Sequence, residues 1–273
     1  MCTVVLSIEP GLPLLLAGVR DELTDRPWKP PARHWPQRPE LVGGRDLKAG
    51  GTWLAVSPAD LRVACVLNGI GRPAPLQTRR SRGVLPLLAA AGESVDRDML
   101  ADLDPFRLVV ADPGGAALRS WDGNNFSEQM LTSGLHLVVN SGLASHLPGT
   151  DSARADLTGP GATMGDQSAA PPPDGREHEV ARIRHFLGRF GSAGRPDPRP
   201  GQSVATAWGD WFPLVNGDGI GPDDQRALIV RRDLGDGKTW GTTSISLVAL
   251  ATGQVRYDFC GRPGDQAAWY SVL

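Results

Sequence analysis

The 273-residue chain is poor in cysteine. It has three, at positions 2, 65 and 260, an odd number without Cys-x-x-Cys spacing. That argues against a disulfide framework and a cysteine-based zinc site, and fits a reducing compartment. No apolar run reaches 18 residues, so no membrane-spanning helix is expected. Neither sign of charge dominates: 28 Lys and Arg stand against 30 Asp and Glu. The balance makes no general case for nucleic acid or an anionic membrane as partner. The glycine-rich spots are not followed by Gly-Lys-Ser/Thr, so no phosphate loop is present. His34, His136, His146, His178 and His185 do not pair at metal-ligand spacing, and neither metal nor cofactor is expected. The amino end lacks a basic region, and Glu9 and Pro10 interrupt its apolar run, unlike a secretory signal. The expected location is cytoplasmic. No internal repeat of fixed period is found.

What the chain does have is 34 Gly and 24 Pro, so much of it is turn and loop. Its length suffices for one large domain or two small ones. We read a single domain over residues 1–273, with a flexible loop near 147–176.

The first 27 residues organise the rest. Thr3 to Ile8 and Leu12 to Ala17 are apolar runs split by Glu9-Pro10-Gly11, which reads as a hairpin of buried strands. The second strand continues into Arg20-Asp21-Glu22, and a short hairpin returns these charges to the neighbourhood of Cys2. Removal of Met1 would leave Cys2 with a thiol and a free α-amine on one residue, so that nucleophile and base come together. A second-position Cys alone is usually incidental; the returning Arg-Asp pair changes that reading. Arg20 would stabilise a thiolate and Asp21 would hold the amine.

Further along, five prolines between 27 and 39 exclude a long helix or central strand there, and an ordered loop is expected. A second hairpin joins Gly51–Ser57 to Leu61–Leu67 and ends at Asn68-Gly69. Helices are expected over 84–91, with Ser81 as cap, over 95–103, capped by Ser94, and over 177–190. In the last, Val180, Ile183, Phe186, Leu187 and Phe190 share a face, with Arg182 elsewhere. Strands are expected at 106–111, 117–121, 135–140, 227–231, 243–250 and 254–259. Many strands without strict βαβ alternation point to an α+β protein of two stacked, mainly antiparallel sheets with helices outside.

Several ordered pieces then resemble one family. They are Met1-Cys2, Val19-Arg20-Asp21-Glu22 with Arg26-Pro27, Gly44-Arg45-Asp46, and Gly50-Gly51-Thr52-Trp53-Leu54. Asn68, Ser81-Arg82-Gly83, Asn140-Ser141 and Gly241-Thr242-Thr243-Ser244 follow. The chain resembles the NRDE family, related to the transport-and-Golgi-organisation proteins. The resemblance implies a four-layer αββα sandwich of the N-terminal-nucleophile hydrolase type. It also implies an enzyme that hydrolyses, or transfers the acyl group of, a small non-peptide amide through a thioester on Cys2. Carried over by position, Cys2, Arg20, Asp21, Asn68 and Asn140 would be catalytic, and Trp53, Arg82 and Thr243 would contact substrate. Two positions depart from the family pattern: Val19 stands for its first Asn, and Thr243 for an Arg in the late motif. The alternative is a non-enzymatic protein of the same fold that handles haem or lipid. Read from the residues alone, Asn68 and Asn140 could equally be turn residues. Arg45-Asp46 and Ser81-Arg82 could simply hold loops, and Trp28, Trp35 and Trp53 could anchor the proline-rich segment.

Overall fold

The computed structural model describes residues 2–146, 154–156 and 175–273. Met1 and nearly all of the loop expected near 147–176 lie outside these residues. In chain order the strands are β1 (Thr3–Ile8), β2 (Leu14–Leu23), β3 (Trp28–Ala32), β4 (Val42–Asp46), β5 (Leu54–Ser57) and β6 (Arg62–Asn68). Helices α1 (Leu85–Ala90) and α2 (Arg97–Leu100) follow, then β7 (Phe106–Asp112), β8 (Gly115–Trp121), β9 (Phe126–Leu131), β10 (Gly134–Val139), β11 (Gly142–His146) and β12 (Arg154–Asp156). The chain ends with α3 (Gly175–Ser192), α4 (Val204–Trp208), α5 (Trp211–Val215), β13 (Arg231–Gly235), β14 (Lys238–Ala251), β15 (Gln254–Cys260) and β16 (Trp269–Ser271).

Among the described residues these strands form two antiparallel sheets. The first has the order β12-β11-β10-β1-β2-β14-β15-β16, with β13 beside β14; the second runs β3 to β9 in sequence order. Period-two alternation splits each inner strand between two apolar layers. Val4, Leu6, Leu14 and Leu16 meet Leu54, Val63, Cys65 and Val109 between the sheets. Val5, Leu15, Ala17 and Val19 face α3, α4 and α5 through Ile183, Phe186, Trp208 and Trp211. Ala55, Ala64 and Leu108 face α1 and α2 through Leu85, Leu87 and Leu100. Three apolar layers between four layers of elements make the αββα sandwich. Both sheets' inner strands are covered on both faces, which is why they read as continuous apolar runs.

Local differences from the sequence reading have physical causes. β3 does form within the proline-rich segment. It is an edge strand whose register breaks between Lys29 and Ala32, where Pro30 and Pro31 lack the amide hydrogen a ladder needs. α2 is shorter than expected and is capped by Asp96, not Ser94. The apolar stretch 227–230 is not a strand: Ala227 and Leu228 are buried, and the strand expected at 227–231 begins only at Arg231. α4 and α5 were hidden by flanking Gly, Pro and Asp. In α3, Val180 falls at the edge of the stripe and is exposed, whereas Arg182 is buried at 2% exposure.

Glycine sets one close approach that matters for the site. Thr52 donates its amide to the Gly83 carbonyl at 2.9 Å. A Cβ on Gly51 would stand 2.4 Å from the Gly83 carbonyl carbon and oxygen. Both partners are backbone and cannot swing away. Gly51→Ala is therefore expected to cost about 1–3 kcal/mol by overpacking, read as a lowered midpoint in urea unfolding against wild type.

Candidate functional site

β1 lies in the middle of the first sheet, between β2 and β10. Its ladders pair Thr3 with Val19 on one side and with Val139 on the other. One residue further out, the same registers set Cys2 opposite Arg20 and opposite Asn140. Directly opposed residues share a face. On the far side of β2, Arg20 pairs with Ser244 of β14. Asn140, Cys2, Arg20 and Ser244 thus form one transverse row across four strands. Cys2 packs against the apolar layer between the sheets.

Arg20 is the electrostatic hub of the row. Its side chain is nearly buried and reaches Glu22 at 3.5 Å and Asp46 at 3.7 Å. Its guanidinium lies 4.5 Å from the centroid of the Trp53 ring, a cation–π distance. Trp28 meets Trp53 edge-on at 5.8 Å. Thr243 completes the set. A bulge in β14 makes it the extra residue between Thr242, opposite Asp21, and Ser244. Its Oγ1 accepts from Arg20 Nη1 at 2.8 Å and donates to the Arg20 carbonyl at 3.3 Å. Burial pushes the Arg20 pKa down, and the negative charges of Glu22, Cys2 and Asp46 oppose this.

Asp21 lies on the opposite face of β2, because successive strand residues alternate. Its carboxylate accepts from Thr242 Oγ1 at 2.7 Å and from Arg182 Nη1 at 3.5 Å. Its carbonyl lies 3.6 Å from the Cys2 thiol, which donates to it. Arg20 and Asp21 therefore approach the Cys2 strand from its two faces, not side by side. Val19 sits in the core between Thr3 and Ile245.

The Asn140 side-chain oxygen is buried with no hydrogen-bond partner among the described residues, and so is Ser244 Oγ. Such orphans are uncommon in folded proteins and call for an explanation. Arg82 donates to the Pro105 carbonyl at 2.8 Å. Burial lowers its pKa, while Asp104, Cys2 and Glu22 act upward, so it lies within electrostatic reach of the thiol. Arg107 donates to the Ser141 carbonyl at 3.4 Å. Trp53 thus lies against Arg20, which register sets opposite Cys2, and Arg107 reaches the residue after Asn140. Asn68 is not in this group: the β6 pleat sets it on the face of Ala64 and Val66, opposite to that of Cys65 and Leu67.

The sequence reading quoted Glu22, Arg26 and Asp46 as motif residues but gave them no part in the site; Glu22 and Asp46 anchor Arg20, and Arg26 anchors Asp46. Arg26 Nε donates to Asp46 at 2.6 Å, and the Lys48 and Ala49 amides also donate to Asp46. Burial acts to raise the Asp46 pKa, but the Arg26 and Ala49 hydrogen bonds outweigh it and hold the group low. It also missed Arg182 and Glu179, charged residues at core spacing on α3. That spacing was the available signal. Two described cavities lie elsewhere. One of about 450 Å³ is lined by Glu9, Arg195 and Trp211 at the far end of β1; one of about 510 Å³ is lined by Arg62, Asp112 and Met130 on the second sheet. No group of three or more His, Cys, Asp or Glu among the described residues could hold a metal ion. No described helix is long and apolar enough to cross a membrane.

The thiol's ionisation follows from this setting. Burial raises the Cys2 pKa and the Asp21 charge adds to that; the amino-terminal charge is the largest opposing influence, followed by the hydrogen bond to the Asp21 carbonyl and by Arg20. In protein retaining Met1, alkylation of Cys2 by iodoacetamide should still be rising with pH beyond about 8.5, the free-thiol value. Arg20→Gln should move the midpoint higher, because the cation is lost and its carboxylates remain. Peptide-level mass spectrometry across a pH series measures both.

Known proteins give two points of comparison. No curated protein matches the chain. A solved structure, a penicillin V acylase from Agrobacterium tumefaciens, is similar at 12% identity with a TM-score of 0.45. That likeness covers 99% of this chain and 86% of the other. The profile of the family described as Transport and Golgi organisation 2 matches residues 1–162, more than half of the chain. The chain belongs to the Transport and Golgi organisation 2 family.

Proposed function

We propose that the protein is an amide hydrolase, or an acyl-transfer enzyme, that uses Cys2 as nucleophile once Met1 is removed. The observation that carries this reading is the transverse row: a thiol at the end of a central strand, set by register between a guanidinium and an orphaned amide side chain. In the proposed reaction the α-amine takes the thiol proton. The sulfur attacks the carbonyl carbon of a small non-peptide amide. The tetrahedral intermediate collapses to a thioester, and the amine leaves with a proton from the α-ammonium. Water or a second amine then attacks the thioester and frees Cys2. Arg20, fixed by Thr243, Glu22 and Asp46, supplies positive potential beside the developing charges. Asn140 offers its orphan oxygen to an amine N–H and its amide nitrogen to the oxyanion. Of the two Asn residues, Asn140 is therefore the one assigned. Trp53 and Arg82 line the approach, and Asp21 orients the amine from the other face.

Removing one oxyanion donor typically lowers the rate about a hundred- to a thousand-fold, and Asn140→Ala is expected to fall in that range. The reading is tested with a thiol-reactive acyl probe and N-terminal sequencing. Processed wild type should form a thioester at residue 2, and Cys2→Ala should not. A chain with a non-removable residue before Cys2 should fold but react far more slowly. Equal acylation of that blocked chain would refute the α-amine mechanism.

A further inference from the structure

Two charged side chains of α3 are almost fully buried: Glu179 and Arg182, each at 2% exposure. They lie three residues apart, so they share one side of the helix. Packing does not require them. Ile183, Phe186, Leu187 and Phe190 already fill the apolar stripe against the first sheet. Burying charge is costly unless specific partners receive it, so their partners are informative. Arg182 Nη1 donates to Thr3 Oγ1 at 3.2 Å and to Asp21 at 3.5 Å. Glu179 accepts from the Ser141 amide at 3.1 Å. Thr3 adjoins Cys2, Asp21 adjoins Arg20, and Ser141 adjoins Asn140. Every one of these bonds ends one residue away from a member of the row that surrounds Cys2.

We infer that Glu179 and Arg182 are positioning residues for the edge that carries Cys2, an inference that rests on reading Cys2 as the nucleophile. Arg182 fastens β1 to β2 beside the thiol and aims the Asp21 carboxylate. Glu179 fixes the turn after β10, and with it Asn140. The helix that carries both lies beyond the family match, which ends at residue 162. The competence of the amino end is thus set by a part of the chain that the family profile does not cover.

The experiment reads the pH midpoint of Cys2 alkylation by iodoacetamide in the full chain, which requires no turnover. Circular dichroism checks the fold of each variant. Besides Asp21, the groups acting on Cys2 are the amino-terminal charge, Arg20 on β2, Arg82 in the turn before α1 and Cys65 on β6, all left unchanged. Arg182→Gln takes one cation away from Asp21, whose charge then weighs more heavily on Cys2, so the midpoint should rise and labelling at pH 7.5 should slow about three- to tenfold. Arg182→Lys keeps the charge and should stay near wild type. Should Arg182→Gln not fold, Asp21→Asn is compared with the paired Asp21→Asn, Arg182→Gln chain. The single change should lower the midpoint and the pair should restore it. Glu179→Ala should speed hydrogen exchange at the Ser141 amide and slow acyl-probe labelling. The inference is overturned if folded Arg182→Gln keeps the wild-type midpoint, or if the single and paired chains coincide. Failure of the nucleophile reading looks different: there, Cys2→Ala leaves acyl transfer intact whatever the midpoints do.

Discussion

Everything at the candidate site depends on the register of one short strand. β1 has six residues, and its ladders to β2 and β10 place residue 2 opposite residues 20 and 140. A slip of one residue would turn Cys2 to the helix face and send Val4 and Leu6 out of the layer between the sheets. The register is held by that apolar alternation, since both faces of β1 are buried. The hydrophobic pattern that folds the sandwich is therefore what aims the thiol. Core and site are not separate parts of this molecule.

The second constraint is electrostatic. A nearly buried guanidinium at Arg20 is tolerable only because each side of it has a partner. Glu22 and Asp46 offset its charge, Thr243 takes a donor, and Trp53 covers its face. Asp46 is in turn fixed by Arg26 and by two amides of its own turn. Such a network holds its members to one geometry, because each shares its partners with the others and loses part of its compensation when one is released. It also gives a physical reason for Thr243 at the position where the family resemblance leads us to expect Arg. A second guanidinium at that bulge would meet Arg20, whereas a hydroxyl both accepts from it and donates to its carbonyl.

Much of the architecture was legible because it is written in period two. The β1–β2 hairpin, the β5–β6 pair, β7, β8, β10 and the closing β14–β15 hairpin all follow from apolar runs bounded by Gly, Pro, Asp or Asn. The return of Arg20 and Asp21 towards Cys2 was equally plain. Their division between two faces follows from the same pleat, but it depends on where the strand ends. β9 was missed because four of its six positions are exposed and show no apolar alternation. The stretch 227–230 misled in the opposite way, being buried without joining a ladder. Arg182 and Glu179 were passed over because charges on a helix are usually solvated. Their spacing to Ile183, Phe186 and Phe190 places them on the core side, and the structure shows both buried there.

The central position of β1 has a practical consequence for anyone handling this protein. Many enzymes tolerate an affinity tag at either end, since chain ends tend to lie on the periphery. Here the first strand starts at Thr3 between two neighbours, and register sets Arg20 beside the residue that precedes it. Under the proposed function, residues fused ahead of Cys2 would block its α-amine, and such a preparation would be inactive even when correctly folded. An affinity handle is better placed after Leu273, whose side chain is exposed although its backbone pairs with Tyr257.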